Sequence, residues 1–205
     1  MRLRPSALFA LVLILAVGSV ATSAAGDVGQ VHRAAAPAGE IHVDAREEYF
    51  YPSTVTVRRG GTVVWDWTGL ESHTATDESG MGLFDSGLAH PGDPSFPFVF
   101  DAAGSYPYVC TLHEGMDGTV HVPIRANRAE GGITVTWSTQ APPAGFVLDV
   151  QARRGDHRWR SWLEGATDAS GLYPAERGTY RFRARLRLSS TGASAGWSEP
   201  ASITL

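Results

Sequence analysis

From Glu40 onward the chain shows no sustained helical hydrophobic period. Apolar and polar residues instead alternate over short runs broken by Gly, Pro and Asp clusters. The clearest runs are Thr54–Val57, Thr62–Trp67, Phe96–Phe100, Tyr106–Cys110 and Thr119–Val122, with turns marked by Arg59-Gly60-Gly61 and Asp101-Ala102-Ala103-Gly104. Short period-two segments at this spacing predict strands in a sandwich or barrel. A second series follows Gly131-Gly132: Ile133–Trp137, Phe146–Ala152, His157–Leu163, Tyr180–Leu188 and Ala201–Leu205. At 205 residues the chain has room for two domains. The expected fold class is all-β, with one sandwich over residues 41–123, a linker at 124–132 and a second, immunoglobulin-like sandwich over 133–205.

The first 25 residues read as a targeting segment. Arg2 and Arg4 give a basic start, Ala7–Val17 is an unbroken apolar run, and Ala21-Thr22-Ser23-Ala24-Ala25 has the small residues that signal peptidases accept. The run is short for a bilayer span, which needs about 20 residues, so export with cleavage is favoured over a retained anchor. Residues 26–40, rich in Ala and Gly, read as a flexible leader. The expected location is outside the cytoplasm: extracellular, periplasmic or associated with the cell envelope.

Export makes the cysteine count informative. Cysteines in oxidising compartments are normally paired, and this chain has one, Cys110. A lone thiol there is a buried small residue, an intermolecular bridge or a metal ligand. Charge is also uneven. Between Glu40 and Pro123 thirteen acidic residues face three basic ones, whereas Ile124–Leu205 holds seven acidic and eleven basic. All seventeen basic residues are arginines. Neither half carries a nucleic-acid-binding motif, and no nucleic-acid partner is expected.

Cys110 closes the run Tyr106-Pro107-Tyr108-Val109-Cys110, in which alternation turns both tyrosines and the cysteine to one face. Thr111-Leu112-His113-Glu114-Gly115-Met116 then forms a tight loop. A thiol, an imidazole and a thioether thus fall within seven residues. That soft set suits copper in a trigonal His2Cys site with a weak axial Met. The second imidazole must come from elsewhere, and His73, after the run Thr62–Trp67, is the candidate. Structural zinc favours several cysteines or histidines and has little use for Met. The expected metal ligands are therefore His73, Cys110, His113 and Met116, and the expected cofactor is one copper ion. His32, His42, His90, His121 and His157 read as ordinary surface or strand residues.

Residues 41–123 resemble a cupredoxin of the plastocyanin/amicyanin class, and especially its halocyanin branch. The resemblance rests on Phe50-Tyr51-Pro52, Val55-Thr56-Val57, Gly60-Gly61, Val64-Trp65-Asp66-Trp67-Thr68-Gly69, His73, Phe84-Asp85-Ser86-Gly87, Phe98–Phe100, Gly104-Ser105-Tyr106, Tyr108, Cys110, His113, Met116, Gly118 and Val120. It implies a Greek-key sandwich and outer-sphere electron transfer, with the His113 ring edge as the exit for electrons. Two residues depart from the pattern. Thr74 stands where cupredoxins often place an Asn that ties the two ligand loops together, and Leu112 occupies a place that is frequently Pro.

Residues 133–205 resemble a fibronectin type III module, through Ile133–Trp137, Leu172, Gly178-Thr179-Tyr180, Phe182-Arg183 and Gly196-Trp197-Ser198-Glu199-Pro200, with the first strand short or missing. Such modules are spacers and binding platforms, and fold alone assigns no partner. Arg154-Gly155-Asp156 reads as turn chemistry. Arg181, Arg183, Arg185 and Arg187 alternate with Phe182, Ala184 and Leu186, which predicts a strand with an arginine outer face stacked on Trp159 or Trp197. The sharper alternative is an anion-binding stripe for a cell-envelope polymer or protein, or for the acidic first domain itself.

The expected function is an exported single-electron carrier that meets a redox partner protein, such as a basic cytochrome. A copper-handling protein without electron shuttling, and an adhesion or scaffold protein with a vestigial metal domain, are the alternatives. No enzyme is expected, because the copper oxidases and nitrite reductases that the resemblance brings in need further copper ligands, such as a His-Cys-His run, and Thr111 follows Cys110.

Overall fold

The computed structural model describes residues 39–205, which lie within one compact unit. The targeting segment expected at 1–25, His32 and nearly all of the leader lie outside the described residues. The described residues fold into strands, turns and irregular segments without a helix.

Two four-stranded sheets form the first sandwich. In one, β1 (Glu40–Arg46) lies between β2 (Tyr49–Tyr51) and β4 (Gly61–Trp67), and β4 also pairs with β6 (Phe96–Phe100). In the other, β8 (Asp117–Val122) lies between β3 (Thr54–Thr56) and β7 (Gly104–Val109), and β7 continues to β5 (Thr76–Asp77). The pairs β1–β4 and β3–β8 are parallel, and the other pairs are antiparallel. Period-two burial is clearest on β7, where Gly104, Tyr106 and Tyr108 face inward and the next inward residue is Cys110. Trp65 of β4 is fully buried beneath them, with its ring 5.2 Å from that of Tyr108 and 5.3 Å from that of Phe84. Opposite Tyr108 on β8 stands Gly118; a Cβ there would come within 2.3 Å of the tyrosine ring, so only glycine lets the strands close over the aromatic core.

A three-stranded sheet and a four-stranded sheet form the second sandwich. The first joins β9 (Arg125–Ala129), β10 (Gly132–Thr136) and β13 (Ser170–Pro174); the second runs in the order β12 (Arg160–Ala166), β11 (Phe146–Arg154), β14 (Thr179–Leu188), β15 (Ala201–Thr204). The segment 124–132, expected as a linker, therefore contains a strand, and the first strand expected to be short or missing is present. β9 escapes notice because four of its five residues are exposed: it is an edge strand without apolar alternation, held by pairing along the whole of β10. Arg154-Gly155-Asp156 turns between β11 and β12, with Gly155 at φ 54°.

The sandwiches are joined by more than covalent continuity. Ala103 donates to the Trp137 carbonyl at 2.7 Å, and Ser105 and Gly196 exchange a pair of backbone hydrogen bonds at 2.9 and 2.8 Å. Asp101 is the centre of the seam. Its carbonyl accepts from the Thr139 amide and the Ser138 hydroxyl, and its carboxylate accepts from the Thr139 hydroxyl and the Gln140 amide.

Candidate metal centre

Two loops bring the predicted His and Cys donors together. His73 sits on the segment after β4, in a two-way backbone bridge with Ala89 at 2.9 Å in each direction. Cys110 is the residue immediately after β7. Its amide donates to the Met116 carbonyl at 2.9 Å, and the Met116 amide donates to the His113 carbonyl at 3.2 Å, which folds 110–116 into a closed loop. Gly115, at φ 80°, supplies the left-handed residue that loop requires. The Cys110 Sγ lies 3.3 Å from His113 Nδ1 and 3.9 Å from His73 Nδ1. The donor atoms of these three residues all lie within 4.8 Å of one another, and they form the one such group of His, Cys, Asp or Glu among the described residues. Met116, 1% exposed, is buried at the far end of the same loop.

The surroundings favour a thiolate. Burial alone pushes the Cys110 thiol up, but the backbone N–H of Thr74, at 3.5 Å from Sγ, together with the Leu112 amide and the His113 ring, outweighs it and leaves the thiol below its ordinary value. His73 is fully buried and its imidazolium is disfavoured, first by desolvation and then by His113. His113 is held above its ordinary value by its hydrogen bond with Cys110 and by Glu71, whose Oε2 lies 2.8 Å from Nε2. A buried thiol and two imidazoles that turn the same nitrogen toward it form a soft, neutral-to-anionic set that fits a copper ion.

Two residues that sequence reasoning undervalued complete the site. Thr74 replaces the expected Asn and still ties the loops: its hydroxyl oxygen accepts from the Thr111 amide at 2.9 Å and from the Thr76 hydroxyl at 3.1 Å, and lies 3.2 Å from the Thr111 hydroxyl. Glu71 caps the outer nitrogen of His113, a contact 42 positions apart in sequence that no local pattern reveals. Leu112, in the place that is often Pro, is 53% exposed, and Leu70 and Leu88 on the neighbouring segments are exposed as well. Three other histidines have partners of their own: His42 bridges Asp66 and Glu40, His90 meets Ser72, and His121 meets Ser105.

An all-β sandwich with a thiol and two imidazoles gathered where β7 gives way to β8 defines the cupredoxin class. The amicyanin-alpha of Methylorubrum extorquens is 30% identical over 112 residues, covering 53% of this chain and 92% of that protein. The plastocyanin of Scenedesmus fuscus is 34% identical over 94 residues, covering 40% of this chain and 95% of that protein. Among solved structures, a purple cupredoxin from Nitrosopumilus maritimus is 24% identical, covers 40% of this chain and 98% of its own, and has a TM-score of 0.37. No family model matches the chain. The chain belongs to the amicyanin and plastocyanin family of cupredoxins. The cofactor of that family is a single copper ion, and the donors described here fit it.

Proposed function

We propose that this chain is an exported electron carrier whose type 1 copper is held by His73, Cys110, His113 and Met116. The observation that carries the reading is the convergence of two Nδ1 atoms on one buried thiol within 4.8 Å. Bound copper supplies a one-electron Cu(I)/Cu(II) couple. The protein supplies a fixed, largely dry geometry: His73 and Cys110 are buried, the Thr74 amide donates to the sulfur, and Thr74 locks both loops together. Little rearrangement is then needed when charge changes, which suits exchange more than storage. Met116 would complete the set as a weak thioether donor, and one copper per chain is expected. The family relationship supports an electron carrier over an enzyme, and the full donor set argues against a vestigial domain.

The partner is a redox protein. Glu71 meets His113, the more exposed of the two histidine ligands, and Glu114 and Asp117 follow it as exposed carboxylates, on a domain with thirteen acidic and three basic residues, so a basic protein such as a cytochrome is the favoured partner. The second sandwich, with three strands facing four, is read as fibronectin type III-like, a spacer or binding platform. Its arginine face is interleaved with indoles: Arg183 lies 4.5 Å from the Trp159 ring and 4.7 Å from the Trp197 ring, and Arg185 lies 4.6 Å from Trp197. This stacking is a sufficient structural role for the stripe.

Voltammetry of the copper-loaded protein tests the reading against copper handling. A reversible one-electron wave, with fast exchange between oxidised and reduced protein, is expected. Tight copper binding with sluggish or irreversible electrochemistry would overturn it.

A further inference from the structure

We propose that Glu71 is a positioning residue for the copper ligand His113, fixing its ring through Nε2 and biasing the site toward the oxidised metal. The inference rests on the copper reading above. A ligating imidazole must present one nitrogen without a proton, and the hydrogen bond made by the other nitrogen sets which one that is. Glu71 can only accept, so it holds the proton of His113 on Nε2, 2.8 Å from Oε2, and leaves Nδ1 directed at the Cys110 sulfur 3.3 Å away.

The other imidazole is held by different means. His73 is completely enclosed, its backbone is bridged to Ala89, and its own Nε2 is buried without a hydrogen-bond partner among the described residues. Packing orients that ring. The His113 side chain retains 17% exposure on a loop whose flanking residues Leu112 and Glu114 are open to solvent, so packing does not enclose it and a hydrogen bond is needed. Glu71 stands two positions before His73. The segment that delivers one ligand therefore also steadies the other, alongside the tie from Thr74 to Thr111.

Glu71 also brings a formal negative charge to a ligand ring. A carboxylate on the outer nitrogen makes the imidazole a stronger donor and favours the more positive metal state. The Glu71 side chain is 58% exposed, so screening weakens the effect without abolishing the hydrogen bond.

Two variants separate orientation from charge. Glu71→Gln keeps a carbonyl acceptor for Nε2–H and removes the charge; Glu71→Ala removes both. In the diamagnetic zinc-loaded protein, the His113 Nε2–H should exchange slowly with water in the wild type and in Glu71→Gln, and fast in Glu71→Ala. Glu71→Ala should lose about tenfold or more in Cu(II) affinity. Both variants should have a higher potential than the wild type, where each tenfold change in relative Cu(II) over Cu(I) affinity corresponds to about 59 mV for a one-electron couple. Equal potentials in wild type and Glu71→Gln, or unchanged Nε2–H exchange and Cu(II) affinity in Glu71→Ala, would overturn the role of Glu71 while the blue copper reading stood. A wild type without the charge-transfer colour would overturn both.

Discussion

The backbone N–H of Thr111 donates to the side-chain oxygen of Thr74 at 2.9 Å, so the loop that delivers His73 is pinned to the loop that delivers Cys110. Thr74 is 6% exposed and its amide donates in turn to the Cys110 sulfur. Replacing Thr74 by Val keeps the shape and leaves the Thr111 amide without that acceptor, at a cost of about 1–3 kcal/mol. Denaturant unfolding of Thr74→Val should show a lower midpoint with an unchanged slope, and its copper should dissociate faster than from the wild type. Unchanged stability and metal release would mean that water replaces the tie.

Docking should follow from the charge near His113, the proposed exit for electrons. Glu114 and Asp117, which follow His113 in the chain, are both exposed. Electron exchange with a basic partner should be faster than with an acidic one and should slow as salt rises, because the Debye length is about 10 Å at 0.1 M and shrinks from there. Glu114→Lys combined with Asp117→Lys should reduce the rate with little change in the visible spectrum. Stopped-flow kinetics over a salt series measure this; a flat dependence would place docking on another surface, such as the arginine face of the second sandwich.

Acid sensitivity of the second sandwich should centre on Asp149. Burial by itself would raise its carboxyl, but Arg187 at 2.9 Å, the Gly165 amide and Arg185 together outweigh burial and hold it below the ordinary value of 3.8. A depressed folded value means that this stabilisation is complete above the unfolded value, roughly pH 4, and is lost as pH falls through the lower folded one. Asp149→Asn should cost about 2 kcal/mol at neutral pH and flatten the loss of stability below about pH 4. Unfolding curves at several pH values decide it; parallel curves for both proteins would assign the acid sensitivity elsewhere.

A fragment ending near Ile124 should fold and bind copper with the spectrum of the full chain, because all four proposed ligands and eight strands precede that point. It should also be less stable than the full chain, since truncation frees the Asp101 carboxylate and carbonyl and the backbone groups of Ala103 and Ser105 from their partners. Thermal unfolding and copper titration of the fragment test both parts. Copper binding that required residues beyond Gly132 would contradict the ligand set.

What could be read from the sequence was what rests on local pattern. Phe96–Phe100 and most of β4, β7, β8 and β14 show period two because one face of each is buried, and Cys110, His113 and Met116 stand out by spacing as candidate ligands. β9 could not be read that way, because an edge strand with exposed side chains on both faces leaves no hydrophobic trace. β12 begins at Arg160, later than the expected His157, because the turn at Gly155 and the stacking of Trp159 on Arg153 use up the intervening residues. The Thr74 and Glu71 contacts escaped for a different reason. Each joins residues more than 35 positions apart, and a Thr or Glu in a loop has no signature until the loops are placed side by side.

The most direct test is the visible spectrum of the protein titrated with Cu(II). One equivalent should produce an intense blue or green thiolate-to-copper band; Cys110→Ala should abolish it, and Met116→Leu should retain it with a changed potential, since the axial ligand is weak. A wild-type protein that stays colourless with Cu(II) and binds Zn(II) in preference would contradict the assignment of His73, Cys110, His113 and Met116 as a type 1 copper site.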